Sequence, residues 1–303
     1  MNESRRREAL RLALMTPDEL VQDVNEPRTD IRSYEDDTEV VAGHERTLEA
    51  ILKRYFSALK DTIPYKRIEQ LFQPPEESDR TRTLRQDAPN ALSESENDEL
   101  NETFAEWLEG QHDLIEDRLA SSLAETAFAG FRPVFETHME KFGLDFEPTP
   151  WMMATLQRSA ERRAEWLMSW LDRMIMKRIA DAIADTAIEK TIVEAVLKAI
   201  QTVLNFLITE EARMYAREEA ESAFSYGKWQ AYKEFGATHK KWITEDDGAV
   251  CGVCRENEAE GLVPIDFLYG WLAFPPAHPR CRCRMEYFGV TRESVLEAFR
   301  PPT

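Results

Sequence analysis

All four cysteines of the 303-residue chain lie in one C-terminal stretch, together with a histidine. The five residues are Cys251, Cys254, His278, Cys281 and Cys283, spaced as C-x2-C, a gap of 23 residues, and H-x2-C-x-C. Two short clusters of soft ligands separated by a loop are typical of a tetrahedral zinc site. The spacing therefore predicts that four of these five side chains bind one zinc ion.

Two ligand sets are compatible with this spacing. Four thiolates would form an all-cysteine site without His278, or His278 would bind together with Cys251, Cys254 and one of Cys281 and Cys283. Either set fills the tetrahedron, which favours structural zinc, because catalytic zinc keeps an open position. Two disulfides or four unpaired thiols are the alternatives, but disulfides need an oxidising compartment. We expect no export, since the apolar patch in residues 1–15 is too short for a secretory signal.

No other pattern in the sequence indicates catalysis. The chain has no Gly-rich phosphate loop, no G-x-S-x-G and no H-E-x-x-H motif. Cys–His catalysis would use a single activated thiolate, whereas His278 lies among four cysteines. The glutamates of residues 210–221 are typical of a solvated helix face. We therefore expect a binding protein and not an enzyme.

The last third of the chain carries an ordered series of motifs. In chain order they are EEARMYAREEAESAF, YGKWQAYKEFGA, KKWIT, EDDGAVCGVC, GLVP and a final P-P-x-H-P-x-C-x-C signature at residues 275–283. Over roughly residues 208–288 the chain resembles the phage Mu protein F-like family of head morphogenesis proteins, also called minor head or minor capsid proteins.

The resemblance implies a structural virion protein of a tailed virus. Such a protein acts in head or procapsid assembly at or near the portal vertex, and in genome packaging or ejection. The implied partners are the portal protein, the major capsid protein or both, with packaged DNA as a further candidate, no membrane, and several copies per virion. The implied location is the head interior or portal vertex, and the host cytoplasm during assembly.

A zinc-knuckle nucleic-acid-binding protein or nuclease is the alternative function. Three basic residues, Arg280, Arg282 and Arg284, lie among the candidate ligands, and Trp271, Phe274 and Tyr287 are aromatic residues nearby that could stack on bases. The overall charge argues against this alternative, because 57 acidic residues against 38 basic ones give a net charge of -19. An acidic surface repels phosphates.

The basic residues are unusual in their composition, since 27 are arginine and only 11 are lysine. Many glutamates with few lysines suit a protein that stays soluble at high salt, where screening weakens repulsion between like charges. We therefore expect a halophilic source, namely a virus of a haloarchaeon, with a GC-rich genome as the alternative explanation. Equal stability at low and high KCl would argue against the halophilic origin.

The apolar periodicity predicts a mainly α fold with long helices in the N-terminal two thirds. The predicted helical stretches are residues 36–62, 98–143 (one long helix or two joined), 151–183 and 188–207, followed by a helix pair at residues 210–235. A small α+β zinc-knuckle module is expected near the C-terminus, where metal binding contributes to the free energy of folding. Thr291 is predicted to cap a short terminal helix.

The predicted organisation has four parts. They are an N-terminal helical arm (1–72), a low-complexity linker (73–97), a long-helix body (98–207) and the Mu F-like domain (208–303) with its zinc knuckle at 241–288. The linker is predicted from its prolines, abundant charge and few large apolar residues. The most apolar run, residues 191–208, is interrupted by Glu194 and Lys198 and is too short to span a membrane.

Overall fold

The computed structural model of the chain describes residues 34–71, 94–112, 115–186, 192–245 and 247–300. Residues 1–33 of the predicted N-terminal helical arm and most of the predicted low-complexity linker lie outside these ranges. The predicted fold class is confirmed: the protein is mainly helical, with a small three-stranded antiparallel sheet near the C-terminus.

The regular elements follow the chain in a simple order. The helices before the sheet are α1 (Tyr34–Asp61), α2 (Tyr65–Leu71), α3 (Glu94–Glu109), α4 (Glu116–Phe142), α5 (Pro150–Thr186), α6 (Ile192–Phe206) and α7 (Ala212–Glu234). The C-terminal elements are β1 (His239–Ile243), α8 (Gly252–Ala259), β2 (Leu262–Pro264), β3 (Arg284–Phe288) and α9 (Arg292–Ala298).

Several helix boundaries differ from the predictions. Residues 98–143 form two helices, α3 and α4, which is one of the two predicted arrangements, but α4 continues through Pro133 to Phe142. The first turn of α3 begins at Glu94, inside the segment predicted to be a linker. The helix pair predicted at residues 210–235 is one helix, α7, which follows α6 through a π-helical turn at Leu207–Glu211.

The chain divides into two compact units, each made of separate segments. Unit 1 comprises Met1–Arg46, Ser121–Ala160 and Arg217–Thr303, and unit 2 comprises Thr47–Ala120 and Glu161–Ala216. Unit 1 contains the sheet and all five candidate ligands.

Unit 2 is a helical assembly with a polar network among its buried apolar residues. The Tyr55 hydroxyl donates to Asp172 Oδ1 (3.2 Å), and His112 Nε2 lies 2.8 Å from Asp172 Oδ2. Burial raises the pKa of the Asp172 carboxyl, and the neighbouring His112 opposes this shift. The sequence pattern alone gave no reason to connect these three residues, which are 60 and 117 positions apart.

In unit 1, α4 and α7 approach each other closely at two glycines. A Cβ atom on Gly227 would lie 1.7 Å from the Ala127 carbonyl oxygen, and one on Gly130 would lie 2.1 Å from the Phe224 carbonyl oxygen. Only glycine therefore fits at either position without moving a backbone. This approach brings α7 against the aromatic core of unit 1, where Phe135 and Phe235 have ring centroids 5.7 Å apart.

The end of α7 directs the chain into the sheet. Gly236 has a φ of 78°, Gly236 N donates to Lys233 O, and Ala237 N donates to Tyr232 O. These two bonds form the Schellman ending that a left-handed glycine allows. β1 then becomes the central strand, since the strand order is β2-β1-β3 and both pairings are antiparallel.

The terminal helix α9 confirms the predicted cap. The Ser294 backbone N–H donates to Thr291 Oγ1 (3.1 Å), and the Thr291 N–H donates to Ser294 Oγ (3.0 Å). This reciprocal capping box satisfies two N–H groups that a helix start otherwise leaves unpaired. Ser294 Oγ also donates to Phe235 O, which connects α9 to the end of α7.

Candidate metal centre

The first pair of candidate ligands lies at the start of α8. Cys251 is the N-cap residue, with extended backbone, and its Sγ accepts a hydrogen bond from the Cys254 backbone N–H at 3.4 Å. A residue three positions after the cap lies in the first helical turn and faces the cap side chain. The C-x2-C spacing thus brings two sulfur atoms together because a helix begins between them.

The second group of ligands is formed by a tight turn. Cys281 N donates to His278 O (3.1 Å), so residues 278–281 form a turn with Pro279 and Arg280 at its corners. Proline suits the first corner because its φ is already fixed, and Arg280 has a φ of 61°, a region that normally favours glycine. This turn brings His278 and Cys281 to the same side of the chain.

The two groups converge on Cys254. His278 Nε2 lies 3.2 Å from Cys251 Sγ and 3.3 Å from Cys254 Sγ, and Cys254 Sγ lies 3.8 Å from Cys281 Sγ. Two triads have all their ligand atoms within 4.8 Å of one another: one contains Cys251, Cys254 and His278, and the other contains Cys254, Cys281 and Cys283. All five predicted ligands are therefore brought together, and the cluster can bind a metal ion.

These distances can be compared with an ideal zinc tetrahedron. Zn–S bonds of about 2.3 Å and Zn–N bonds of about 2.0–2.1 Å imply S···S edges of about 3.8 Å and S···N edges of about 3.6 Å. The separation of Cys254 and Cys281 matches an S···S edge, and the two separations from His278 are a few tenths of an ångström short. A metal at the centre would therefore require only small movements of these side chains.

The orientation of His278 suits a metal ligand. Its Nδ1 lies 2.8 Å from the Pro279 carbonyl oxygen, an acceptor, so Nδ1 carries the proton and Nε2 faces the sulfur atoms with its lone pair. Metal-binding histidines commonly donate their second ring N–H to a carbonyl in this way.

The thiols have unequal proton affinities. A hydrogen bond from Cys283 lowers the pKa of Cys281 to about 5, and burial raises the pKa of Cys254 to about 12. The hydrogen bond to Cys281 and burial raise the pKa of Cys283. Without a metal ion, Cys281 is thus the thiol that loses its proton most readily, and its thiolate accepts hydrogen bonds from neighbouring thiols that keep theirs. A divalent metal reverses this pattern, because thiol ligands bind in their deprotonated form.

Ion pairs fix the segments that carry the ligands. Arg282 and Asp247 approach to 2.7 Å, and Arg284 and Glu245 to 3.4 Å, which connects the segment before α8 to the start of β3. At the end of β1, Thr244 N donates to Glu258 Oε1 (3.0 Å) and its hydroxyl donates to Oε2 (2.6 Å). These hydrogen bonds lower the pKa of the Glu258 carboxyl.

The apolar core beside the cluster is small. Its five buried residues are Trp242, Cys254, Val263, Tyr269 and Cys281. The Trp242 indole N–H is buried and has no hydrogen-bond partner among the described residues, although the Trp242 side chain lowers the pKa of the Cys283 thiol. A sulfur that gains negative charge on metal binding would be the acceptor that this N–H lacks.

Lys240 is a buried cation beside the candidate site that was not predicted from the sequence. Its side chain is fully buried on β1, its Nζ donates to Ala273 O (2.6 Å) and lies 5.7 Å from the Tyr269 ring centroid, and burial lowers its pKa to about 8. The sequence could have indicated this burial, because side chains alternate between the two faces of a β-strand and Lys240 must therefore share a face with Trp242. Lys240 thereby fixes the loop that precedes the His278 turn.

A cavity of about 210 Å³ lies beside the cluster, within unit 1. It is bordered by the first turns of α1, by α7 and by residues 275–287, including Cys281 and Cys283. The charged side chains around it include three pairs, Lys228 with Asp37 (2.7 Å), Arg217 with Glu221 (2.8 Å) and Arg282 with Asp247.

The basic residues proposed to bind nucleic acid at the knuckle are mostly engaged within the protein. Arg282 and Arg284 contact Asp247 and Glu245, as described above. Trp271 is 80% exposed, at a corner of the turn in which Tyr269 and Leu272 exchange backbone hydrogen bonds. Phe274 packs against Tyr226 and Trp229, and Tyr287 stacks on Tyr232, so neither ring is free to stack on a base.

Comparison with known proteins does not assign the chain to a family. No protein-family model, curated protein or solved structure matches it. Function must therefore be argued from the cluster and the surrounding residues. Within the described part of the chain, no helix has the length and apolar character that crossing a membrane would require.

Proposed function

We propose that four of Cys251, Cys254, His278, Cys281 and Cys283 bind one structural zinc ion. The observation that carries the proposal is the convergence of two separate chain segments on Cys254 at distances close to the edges of a zinc tetrahedron. Zinc is the metal that mixed thiolate and imidazole sets with this geometry favour. Five candidate ligands leave no open position for a substrate, so the ion would act in folding and not in catalysis.

The zinc proposal is tested by metal analysis of the purified chain and of five single variants. Each cysteine is changed to serine and His278 to alanine, and bound zinc is measured per chain after dialysis. We expect one zinc ion in the unchanged protein, strongly reduced zinc in four variants and nearly normal zinc in the fifth. That fifth residue is the one that does not bind. Absence of zinc from the unchanged protein, with all thiols free, would contradict the proposal.

We further propose that the chain is a minor head protein of a tailed virus, acting by binding the portal protein, the major capsid protein or both during head assembly. The order of the motifs over residues 208–288 supports this proposal. The structure is compatible with it in one respect, since the motifs from residue 217 onward contribute to α7, the sheet and the Cys/His cluster within unit 1. Assembly by binding would require no catalytic group.

Association with virus particles tests the virion role. Antibody labelling and mass spectrometry of purified particles should detect the chain in several copies, and a tagged portal protein should capture it from infected cells. Variants of the zinc ligands should lose this association together with their zinc. Absence of the chain from both particles and portal complexes would contradict the role but would leave the zinc proposal intact.

A further inference from the structure

The outward face of α5 in unit 2 carries a row of cations. Arg162, Arg173 and Lys177 are exposed, and Trp166 between them is 46% exposed. Steps of 4, 7 and 4 residues place these four side chains on one stripe of the helix, because three and four residues correspond to about one turn. We call these four residues the α5 stripe.

The three cations of the α5 stripe have no acidic partner in the part of the chain that the structure describes. Among the described residues, no carboxylate forms an ion pair with Arg162, Arg173 or Lys177, whereas Arg178 on the same helix pairs with Glu211 at 2.8 Å. This is notable in a chain with 57 acidic and 38 basic residues, where carboxylates outnumber cations. Glu161 and Glu165 border the stripe without pairing with these three cations, and limit its local positive potential.

The exposed indole of the stripe is fixed by its neighbours. The Arg163 guanidinium lies 4.1 Å from the ring centroid of Trp166, and Trp170 stacks on Trp166 with centroids 6.3 Å apart and an interplanar angle of 13°. Trp170 in turn contacts Tyr215 edge-on at 5.2 Å. Trp166 therefore presents a preorganised aromatic edge beside three unpaired cations.

We propose that the α5 stripe is a binding surface for the phosphate backbone of a nucleic acid. The cations extend about 22 Å along the helix at a rise of about 1.5 Å per residue, a length that suits a linear polyanion better than a compact ligand. Arginine and lysine neutralise phosphates without reading the base sequence, and an aromatic residue among them adds contacts with bases or sugars.

The composition of the α5 stripe favours a polyanion over a protein partner. The centre of a protein interface is enriched in apolar side chains and depleted in charge. Trp166 is the only exposed large apolar residue on the described part of α5. An acidic protein surface would have to bind through charge alone, and exposed ion pairs contribute little each.

The inference does not depend on zinc or on the virion role, and predicts weak, sequence-independent binding. Each neutralised phosphate of duplex DNA contributes a slope of about -0.9 to the dependence of log K on log salt. Three contacts give a slope of about -2.7, so affinity should fall about fortyfold between roughly 50 and 200 mM salt. The net charge of -19 opposes binding and should confine it to low salt.

The test measures anisotropy of a labelled 20-base-pair DNA duplex with the full-length chain at several salt concentrations. The triple variant Arg162→Ala, Arg173→Ala, Lys177→Ala should lose most of the salt-dependent binding. A matched control, Lys60→Ala, Lys66→Ala, Lys198→Ala, removes three exposed cations from other helices of unit 2 and should bind like the unchanged protein. A charge-conserving variant, Arg162→Lys, Arg173→Lys, should retain most binding.

Three outcomes would overturn the inference. They are undetectable binding by the unchanged protein at about 50 mM salt, a flat salt dependence, and an equal loss in the triple variant and its matched control. Polyglutamate of similar length serves as a competitor, because a surface for acidic proteins would be blocked by carboxylates as well as by DNA. Competition by polyglutamate at charge concentrations equal to those of DNA would assign the surface to a protein partner and contradict the proposal.

Discussion

Two regions of unit 1 are stabilised in different ways. The aromatic core around α4 and α7 has twelve buried residues, among them Phe131, Phe135 and Phe235. The core of the metal module, by which we mean the sheet and the segments carrying the five candidate ligands, has five, and two of these are Cys254 and Cys281. So small an apolar core rarely provides enough free energy for folding by itself. The difference in core size supports the proposal that side-chain packing stabilises the helical region, whereas metal binding would stabilise the metal module.

The largest expected effect is a loss of structure in the metal module that leaves the helical region folded. Cys254→Ser removes the residue shared by both ligand triads, and structural zinc contributes apparent binding free energies on the order of 10 kcal/mol to small modules. We expect loss of the metal and proteolytic cleavage within residues 244–282, with α4 and α7 remaining resistant. Limited proteolysis followed by mass spectrometry measures this.

A neighbouring substitution controls for the change of side chain. Val253 lies beside Cys254 in α8 but is 55% exposed, so Val253→Ser should leave zinc content and protease resistance unchanged. If Val253→Ser opened the module as much as Cys254→Ser, the effect would belong to α8 and not to a metal ligand.

The next largest effect should destabilise the helical region. In Gly227→Ala the new Cβ would lie 1.7 Å from Ala127 O and 2.7 Å from the Ala127 carbonyl carbon, so one helix must move. Overpacking of this kind typically costs about 1–3 kcal/mol or more. Thermal or urea unfolding should show this loss, while zinc content per folded chain should stay at one.

A glycine with free space provides the matched control. Gly43 lies in α1, and the nearest atom to its added Cβ would be an Arg46 side-chain nitrogen at 4.0 Å. Gly43→Ala should therefore stabilise the protein by about 0.5–1 kcal/mol, since alanine favours a helix interior over glycine. An equal loss of stability in Gly43→Ala and Gly227→Ala would contradict the close approach of α4 and α7.

A smaller effect should appear as a pH dependence of the metal module. Burial lowers the pKa of Lys240 from 10.5 to about 8. Between these values the unfolded chain binds more protons than the folded chain, so this residue makes the free energy of unfolding rise with pH. In the Lys240→Met variant, the free energy of unfolding should rise less steeply with pH. Urea unfolding at several values between pH 8 and pH 10.5 measures the difference, and identical slopes would contradict the burial of the ammonium group.

The smallest predicted effect concerns the turn that carries His278 and Cys281. Arg280 adopts a φ of 61°, a left-handed conformation that costs a residue with a side chain about 1–2 kcal/mol. Arg280→Gly removes this strain, but glycine loses more conformational entropy on folding than arginine does. We therefore expect the free energy of unfolding to increase by less than about 1 kcal/mol. Arg280→Val, which disfavours this φ further, should destabilise the turn and weaken zinc affinity. A Val variant as stable as the Gly variant would contradict the assigned turn.

The sequence predicted features that depend on local order. The spacing of the cysteines and His278 predicted one cluster, because a helix start and a proline turn fix short-range geometry. Apolar periodicity predicted the long helices, and Thr291 predicted the start of α9. The linker prediction at residues 94–97 was wrong, since these residues begin α3.

Features that depend on distant partners could not be predicted. Gly227 contacts Ala127, which is 100 positions away, and no local pattern identifies that neighbour. The helix pair at residues 210–235 was predicted from the resemblance of two motifs, whereas one helix, Ala212–Glu234, contains Gly227 and packs closely there. The π-helical turn at Leu207–Glu211 likewise has no signal in the amino-acid sequence.

Hydrogen–deuterium exchange with and without a zinc chelator tests the difference between the two regions most directly. The account predicts that chelation removes protection from β1, α8 and β3 while the amides of α4 and α7 that face the aromatic core keep theirs. It predicts that added zinc restores the lost protection. Protection in β1 and β3 that is unchanged after complete removal of metal would contradict the account, because the module would then be stable through packing alone.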